Sequence, residues 1–183
     1  MERTIVISGF GGQGLLLCGR VLAHAAMVEG REVLWIPSYG PEMRGGAATC
    51  TVILSDEPIG SPIVDRLDIL VALTTPSVEK HGRLLREGSL LVADSSLVSV
   101  GPRAGIELVD IPCTQLAVAA GSDRLVSMVA LGTVLARRSP VSRTAVEAAL
   151  TAIVGVEHPE LLAMDLAALE AGMRVAGARP AEA

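Results

Sequence analysis

The sequence predicts a Rossmann-like three-layer α/β domain with a mainly parallel sheet and a helical C-terminal portion. Three observations support this class. Short apolar runs alternate with helical patterns along the first two thirds of the chain, a glycine-rich turn follows the first run, and the last third contains helical patterns alone. Strands that alternate with helices are typical of a parallel sheet covered on both faces. We expect one domain over residues 1–177 and a frayed tail over residues 178–183.

The first predicted elements form a strand–helix–strand unit. Residues 4–8 are apolar and β-branched, which predicts a buried strand. Residues 13–29 are rich in Leu, Ala, Val and Met and precede Gly30, which predicts a helix that stops at a glycine. Apolar runs at 32–36 and 47–54 predict the second and third strands, on either side of a turn-rich segment.

The remaining elements follow the same patterns. Three more apolar runs predict strands at residues 68–73, 90–94 and 107–111. A polar-faced helix with a proline near its start is predicted between the first two of these runs, at residues 76–86. Three helices are predicted in the last third, at 123–138 with an Asp123 cap, at 142–154 with a Ser142 cap, and at 160–175.

The composition excludes nucleic-acid binding as a function. Half of the 183 residues are hydrophobic, the formal net charge is -5, and only three residues are aromatic. A nucleic-acid surface would need excess positive charge for phosphates and aromatic side chains for base stacking. The three aromatic residues, Phe10, Trp35 and Tyr39, all lie in the first 39 residues. We expect them near the carboxyl edge of two adjacent strands, with a core of aliphatic residues elsewhere.

The chain shows no pattern for membrane insertion or export. Its longest charge-free run, residues 4–19, is interrupted by glycines, whereas a spanning helix needs about 18 or more apolar residues. The start lacks the positive flank of a signal peptide. We therefore expect a cytoplasmic protein that makes no membrane contact.

The cysteines and histidines are too scattered to form a local metal site. The three cysteines contain no Cys-x-x-Cys pair, so neither an iron–sulfur cluster nor a zinc ribbon can be assembled from neighbouring residues. We expect buried thiols, imidazoles at the protein surface and no metal ligands. The residues concerned are Cys18, Cys50, Cys113, His24, His81 and His158.

A glycine-rich motif lies between the first predicted strand and the first predicted helix. Residues 9–14, Gly-Phe-Gly-Gly-Gln-Gly, fit G-x-G-x-x-G in the context that this motif requires. Its glycines permit a tight turn and close approach of a ligand's phosphates, and the helix start offers free N–H groups to an anion. A tight turn without a ligand is the alternative. The candidate cofactor-binding residues are Gly9, Gly11, Gly12, Gln13 and Gly14.

The end of the second strand weakens the case for a nicotinamide cofactor. An NAD site would place Asp or Glu there, and the sequence has Trp-Ile-Pro-Ser at 35–38 instead. An NADP site would need a basic residue, for which Arg44 is the only near candidate. A Walker-type phosphate loop is excluded because no Gly-Lys-Ser/Thr follows the motif.

A second unusual loop, Ser-Tyr-Gly-Pro-Glu-Met-Arg-Gly-Gly at residues 38–46, follows the second strand. In a doubly wound sheet it emerges at the same edge as the glycine loop. Arg44 could pair with a phosphate or with a partner's carboxylate, although an ordinary turn with a solvated arginine is the alternative. The ligand candidates are Ser38, Tyr39 and Arg44, and the partner-contact candidates are Phe10, Pro41, Met43, Arg44, Gly45 and Gly46.

The two loops together resemble the gamma subunit of the 2-oxoacid:ferredoxin oxidoreductases, which include the pyruvate, 2-oxoisovalerate, 2-oxoglutarate and indolepyruvate enzymes. The resemblance continues through residues 68–73 and 88–95 and into Met-Val-Ala-Leu-Gly at 128–132, so it spans nearly the whole chain. One departure is Ser127, because family members often carry Asn there. If the Asn amide of those members acts at a subunit contact, the shorter Ser127 hydroxyl would fill that role less completely.

The resemblance implies one component of a larger enzyme with alpha, beta and ferredoxin-like delta subunits. Such enzymes decarboxylate a 2-oxoacid with thiamine diphosphate and Mg²⁺, pass electrons through iron–sulfur clusters to ferredoxin, and transfer the acyl group to coenzyme A. The diphosphate cofactor, Mg²⁺ and clusters are then expected in the partner subunits. This chain would contain no catalytic residue and would be inactive alone. Its loops would face a nucleotide-type ligand, with coenzyme A as the candidate, or dock on the catalytic subunits.

Among the family's substrates, 2-oxoglutarate is the choice we expect. Two alternatives stay open at this point. One is a free-standing NAD(P)-dependent dehydrogenase on a Rossmann-like sheet, and the other is a non-enzymatic module that binds a nucleotide or coenzyme A.

The second loop generates the first testable prediction. Arg44→Ala should lower the activity of the reconstituted complex or weaken its assembly, because a cation that pairs with a phosphate or carboxylate is lost. The measurements are turnover, the KM for coenzyme A and size-exclusion chromatography, with circular dichroism to verify that the chain stays folded. Wild-type turnover and assembly would count against a functional role of this loop.

Overall fold

The computed structural model describes residues 1–40 and 46–178, and it contains the predicted mixture of strands and helices. Six strands form one sheet in the order β2-β3-β1-β4-β5-β6. Their bounds are β1 (Glu2–Phe10), β2 (Glu32–Tyr39), β3 (Ala47–Ser55), β4 (Leu67–Ala72), β5 (Leu85–Asp94) and β6 (Glu107–Ile111).

The sheet is mainly parallel, with one reversed strand. β1, β4, β5 and β6 pair in parallel, whereas β3 is antiparallel to both β1 and β2. Five strands therefore run in the same direction. Only seven residues separate β2 from β3, and parallel pairing would need a connection of about a dozen or more, so these two strands pair antiparallel. The expectation that β1 and β2 are adjacent is wrong, because β3 lies between them.

Helices cover both faces of the sheet, which gives the three predicted layers. One face packs on α1 and α4, with α5 lying on α1 and α6 on α4, and the opposite face packs on α2. The helix bounds are α1 (Leu15–Val28), α2 (Thr75–His81), α3 (Cys113–Ala119), α4 (Val126–Arg138), α5 (Arg143–Leu150) and α6 (Pro159–Gly177). In the described part of the chain, none of these helices is both long and apolar enough to cross a membrane.

Several predicted boundaries shift. The Ser142 cap is confirmed, because its hydroxyl accepts the Ala145 N–H at 3.1 Å. The Asp123 cap is wrong, since the Ser122 hydroxyl accepts the Arg124 N–H and a 3₁₀ turn precedes α4. The predicted helix at 76–86 is shorter, because β5 already begins at Leu85. α3 was not predicted from its short apolar segment.

The core is aliphatic, as the composition indicates. Two clusters of buried residues lie on opposite faces of the sheet, and neither contains an aromatic side chain. The larger cluster joins β1, β3, β4 and β5 to the helices of the last third. Burial of each Val, Leu or Ile side chain is worth about 1.5–3 kcal/mol. Packing of the C-terminal helices on the sheet therefore supplies much of the stability of the fold.

The backbones of α4 and α6 touch where two glycines face each other. A methyl group added at Gly132 would overlap the carbonyl oxygen of Leu169, and one added at Gly172 would overlap the carbonyl oxygen of Val129. Both are backbone atoms within helices, which cannot move aside as a flexible side chain can. The two helices can therefore approach this closely only with glycine at both positions.

This contact predicts that Gly172→Ala destabilises the chain. We expect the free energy of unfolding to fall by about 2 kcal/mol or more, because overpacking forces the helices apart. Gly177→Ala in the same helix is the matched control. A methyl group there meets nothing within 4 Å, so its expected effect is a gain of up to about 1 kcal/mol from helix propensity. Urea unfolding measures both, and equal effects of the two substitutions would contradict this account of the helix contact.

Candidate functional site

The two unusual loops lie side by side at one end of the sheet. β1 ends at Phe10, which pairs with Ala47 of β3, and β2 ends at Tyr39, which pairs with Ala48. The Gly11 N–H donates to the Gly46 carbonyl at 3.0 Å. This hydrogen bond joins the glycine loop directly to the end of the second loop, at the shared edge that the sequence predicts.

The glycine loop uses part of its hydrogen-bonding capacity internally. The Gln13 side-chain oxygen accepts the Phe10 N–H at 2.7 Å, and the Gln13 N–H donates to the Phe10 carbonyl at 3.4 Å. A methyl group at Gly9 would occupy the position of that Gln13 oxygen. Gly9 therefore makes room for a side chain of its own loop, and Gln13 stiffens the turn.

The last glycine of the motif faces the start of α4. Gly14 has a φ of +77°, and a Cβ there would lie 2.5 Å from the Arg124 carbonyl oxygen and 2.8 Å from the Ser127 hydroxyl oxygen. The Ser127 N–H also donates to the Gln13 carbonyl at 3.3 Å. The glycine loop is thus held between the sheet and α4.

The first turn of α1 has free N–H groups. Gly14 precedes the helix and offers no side-chain cap. The first helical hydrogen bond runs from the Cys18 N–H to the Gly14 carbonyl at 3.0 Å. Within the described residues, the N–H groups of Leu15, Leu16 and Leu17 have no hydrogen-bond acceptor. A helix start of this kind attracts an electron-rich group.

A cavity of about 500 Å³ opens beside the glycine loop. One wall comes from the loop and α1, a second from the segment before α4, and a third from the first turns of α6. Phe10 is 41% exposed and Tyr39 is 65% exposed, so both present large side chains at its mouth. The described lining residues are Phe10, Gly11, Gly12, Gly14, Leu15, Leu16, Leu17, Tyr39, Ala48, Ser122, Arg124, Leu125, Leu161, Met164 and Asp165.

The cavity gathers some of the predicted site residues and not others. Its lining includes the predicted Gly11, Gly12, Gly14, Phe10 and Tyr39. Four of the remaining predicted residues lie in the described chain but not in the described lining, and these are Gly9, Gln13, Ser38 and Gly46. The predicted Pro41, Met43, Arg44 and Gly45 lie outside the described residues.

Asp165 in α6 is a site residue that sequence reasoning missed. It lines the cavity, is only 4% exposed, and has no hydrogen bond or ion pair within the described residues. Burial raises the pKa of its carboxyl to about 6. The available signal was helical spacing, because residues 161, 165, 168 and 172 fall on one face of α6. An acid on an otherwise apolar helix face is unusual enough to be noted.

The three cysteines are buried, as predicted. Burial raises the pKa of the Cys50 thiol to about 11, and burial also raises the pKa values of Cys18 and Cys113. The Trp35 indole N–H donates to Cys50 Sγ at 2.9 Å. Trp35 therefore packs partway along β2 against Cys50 and does not line the cavity, so the expectation that all three aromatics share the loop edge is wrong for this residue.

On the opposite face of the sheet, a row of hydroxyls leads to a histidine. Ser8 Oγ lies 3.1 Å from Thr49 Oγ1, which lies 3.5 Å from His81 Nε2. Ser8 and Thr49 are both buried, and burial lowers the pKa of His81. The row ties β1 and β3 to α2, and its hydroxyls are not presented to solvent.

Ser127 lies beneath the glycine loop and is fully buried. Its hydroxyl oxygen has no hydrogen-bond partner in the described chain. Since the side chain is enclosed, it cannot reach a partner surface directly. The expectation that this position acts at a subunit contact is therefore not supported by the geometry.

Comparison with known proteins gives this arrangement a family. Residues 4–175 match the family model described as pyruvate ferredoxin/flavodoxin oxidoreductase. The chain belongs to this family. The 2-oxoglutarate synthase subunit KorC of Methanocaldococcus jannaschii is 37% identical over 169 residues, which are 89% of this chain and 90% of KorC.

Some relatives of the chain are longer than it is. The ketoisovalerate oxidoreductase subunit VorA of Methanothermobacter marburgensis is 38% identical over 135 residues, which are 74% of this chain. The matched segment is 28% of VorA, so this chain spans about a quarter of that relative. The region equivalent to this chain is therefore only one part of such a polypeptide.

Two solved structures share the fold. The gamma subunit of a keto/oxoacid ferredoxin oxidoreductase from Geobacter sulfurreducens superposes with a TM-score of 0.82 at 33% identity, over 97% of this chain and 99% of that chain. A 2-oxoglutarate:ferredoxin oxidoreductase from Magnetococcus marinus, described with 2-oxoglutarate, coenzyme A and succinyl-CoA bound, gives 0.87 at 27% identity. The match covers 98% of this chain and 32% of that one.

The buried Ser127 hydroxyl predicts that Ser127→Ala stabilises the chain. Removal of an unsatisfied buried hydroxyl should raise the free energy of unfolding by about 1 kcal/mol. Ser89→Ala is the matched control, because the buried Ser89 hydroxyl donates to the Leu67 carbonyl at 2.5 Å and accepts the Arg86 N–H at 3.0 Å. That substitution should lower stability by about 1 kcal/mol. Urea unfolding tests both, and a loss of stability in Ser127→Ala would show that its hydroxyl is bonded.

The Asp165 carboxyl predicts a pH-dependent stability. Because its pKa is raised from 3.8 to about 6, the folded chain holds this proton to a higher pH than the unfolded chain. The contribution of Asp165 to the free energy of unfolding should therefore fall as pH rises from about 4 to about 6, by up to about 3 kcal/mol. The Asp165→Asn chain lacks this dependence. Its free energy of unfolding, relative to that of the unsubstituted chain, should therefore increase from about pH 4 to about pH 6 and then level off. A difference that stays the same at every pH, measured by urea unfolding, would contradict the raised pKa.

Proposed function

We propose that this chain is the gamma-type subunit of a multisubunit 2-oxoacid:ferredoxin oxidoreductase. The observation that supports this most directly is the end-to-end likeness to the Geobacter sulfurreducens gamma subunit, which leaves almost no part of either chain unmatched. The family match over residues 4–175 agrees with it. The complex would convert a 2-oxoacid, coenzyme A and oxidised ferredoxin to acyl-CoA, CO₂ and reduced ferredoxin.

The substrate that we propose is 2-oxoglutarate, with succinyl-CoA as the product. KorC subunits of 2-oxoglutarate synthases recur among the relatives, and the Methanocaldococcus jannaschii KorC is matched over 90% of its length. The ketoisovalerate subunits match over 28% of their length. The match along nearly all of KorC, against a partial match to the longer ketoisovalerate subunits, favours 2-oxoglutarate over 2-oxoisovalerate.

The contribution of this chain would come from its loop edge. Coenzyme A supplies the thiol that accepts the acyl group, and its phosphates need hydrogen-bond donors and positive charge. The free N–H groups at residues 15–17 and the exposed Arg124 meet that need at one side of the cavity. Gly11 and Gly12 line the same side of the cavity and have no side chain, so a phosphate can approach their backbone closely. The residues present are therefore compatible with a phosphate at the start of α1.

The same edge suits subunit contact. Phe10 and Tyr39 expose large side chains beside the cavity, and exposed aromatic residues are enriched where proteins bind each other. Thiamine diphosphate, Mg²⁺ and the iron–sulfur clusters would be held by the alpha, beta and ferredoxin-like subunits. The chain alone would be inactive, and it would act by shaping and closing the site on its partners.

Co-purification from the native organism tests the assignment. The untagged chain should elute with larger subunits that carry thiamine diphosphate and iron, and the complex should reduce ferredoxin or methyl viologen in a coenzyme A-dependent reaction. Parallel assays with 2-oxoglutarate, 2-oxoisovalerate and pyruvate should show the highest kcat/KM for 2-oxoglutarate. A higher value for another 2-oxoacid would overturn the substrate alone.

Three results would overturn the whole assignment. If the chain elutes alone and reduces NAD with a hydroxy acid, it is a dehydrogenase. If it retains NAD or NADP after purification, the same conclusion is favoured. If it elutes alone and binds coenzyme A tightly, it is a binding module without an enzymatic partner.

A further inference from the structure

The cavity beside the glycine loop has the dimensions of a small-molecule site. Its volume of about 500 Å³ falls within the roughly 300–1,000 Å³ typical of such sites. Aliphatic and sulfur-containing side chains form most of its walls. Leu15 and Leu125 are buried behind the surface, and Met164 and Leu161 come from the facing helix α6.

One polar group in this apolar lining is left without a partner. The Asp165 carboxylate is 4% exposed, and within the described residues nothing donates a hydrogen bond to it. A buried charge of this kind is costly unless it is paired. It lines the cavity rather than the packed interior, so the position from which a donor can reach it is the cavity itself.

The other polar groups of the cavity restrict where a cation can lie. Arg124 is exposed and lines the cavity, and in the part of the chain that the structure describes it forms no ion pair with Asp165. The free N–H groups at the start of α1 also disfavour positive charge near the glycine loop. The remaining polar lining groups, the Ser122 hydroxyl and the Tyr39 phenol, are neutral. A positive group therefore belongs on the α6 side of the cavity, against Asp165.

We propose that this cavity is a binding site for a small organic molecule with a primary amine on an apolar stem, anchored by an ion pair between the amine and Asp165. The stem would pack on the leucine and methionine side chains that line the walls. The proposal depends on the cavity of this chain and not on the activity of any complex. It is also distinct from phosphate binding at the start of α1, which uses backbone N–H groups and not the Asp165 carboxylate.

A series of three six-carbon probes tests the charge requirement on the unsubstituted full-length chain. Hexylammonium carries the amine, 1-hexanol carries a neutral donor, and hexanoate carries the opposite charge on the same stem. At pH 7.5, where Asp165 is ionised, NMR titration should give a Kd for hexylammonium about tenfold or more below that of hexanol. Hexanoate should not shift the NMR signals of residues around Asp165, because its carboxylate is repelled there and is attracted to the start of α1 and to Arg124.

Two substitutions assign the effect to the carboxylate. Asp165→Asn keeps the shape of the side chain and removes its charge, so it should weaken hexylammonium binding about tenfold or more while it leaves hexanol binding nearly unchanged. Glu170→Gln is the matched control, because Glu170 lies on the exposed side of α6 and pairs with Arg143. It should leave every affinity as it is.

Two outcomes would overturn the proposal. One is equal affinity of the unsubstituted chain for hexylammonium and 1-hexanol, or no saturable binding of hexylammonium at millimolar concentration. The other is unchanged hexylammonium binding in a folded Asp165→Asn chain. The three probes are compared on the unsubstituted chain. The first of these outcomes can therefore overturn the proposal even if the Asp165→Asn chain does not fold.

Discussion

The close approach of α4 and α6 is the constraint on which the site depends. Gly132 and Gly172 allow the two helix backbones to touch, and the segment before α4 and the first turns of α6 then form two sides of the cavity. The start of α4 contacts Gly14, and an N–H group of its first turn donates a hydrogen bond to the Gln13 carbonyl. The first turns of α6 bring Asp165 to face the same loop. One contact between two helices thus sets the distance between the glycine motif and a carboxylate far along the chain.

The glycine motif has a different structural basis from the one its pattern suggests. Gly9 accommodates the side chain of Gln13, and Gly14 accommodates the start of α4. Both requirements are internal to the fold, and both would persist without a ligand. What remains available for binding is the first turn of α1, where no side chain caps the helix. A G-x-G-x-x-G pattern therefore predicts the turn well and its occupant less well.

Much of the fold could be predicted from the sequence because its signals are local. The β-branched runs and the glycine stop after α1 place the first strands and the first helix within a few residues. The place of β3 between β1 and β2 could not be predicted, since an apolar run does not determine which strands will flank it. The displaced cap at Ser122 is similar, because Ser122 and Asp123 are both good caps and tertiary contacts of α4 decide between them. Asp165 was missed because its importance depends on a contact with residues about 150 positions earlier in the chain.

The sulfur contact of Trp35 has a spectroscopic consequence. Trp35 is the single tryptophan of the chain, and its indole lies 2.9 Å from Cys50 Sγ, where Gly19 of α1 leaves room for both side chains. A thiol this close to an indole quenches its fluorescence, and the quenching fades steeply with distance. The emission of the native chain therefore reports, without any label, whether β2 and β3 hold these two side chains together. Since α1 packs on both strands, this one indole monitors the part of the sheet that supports the helix beside the cavity.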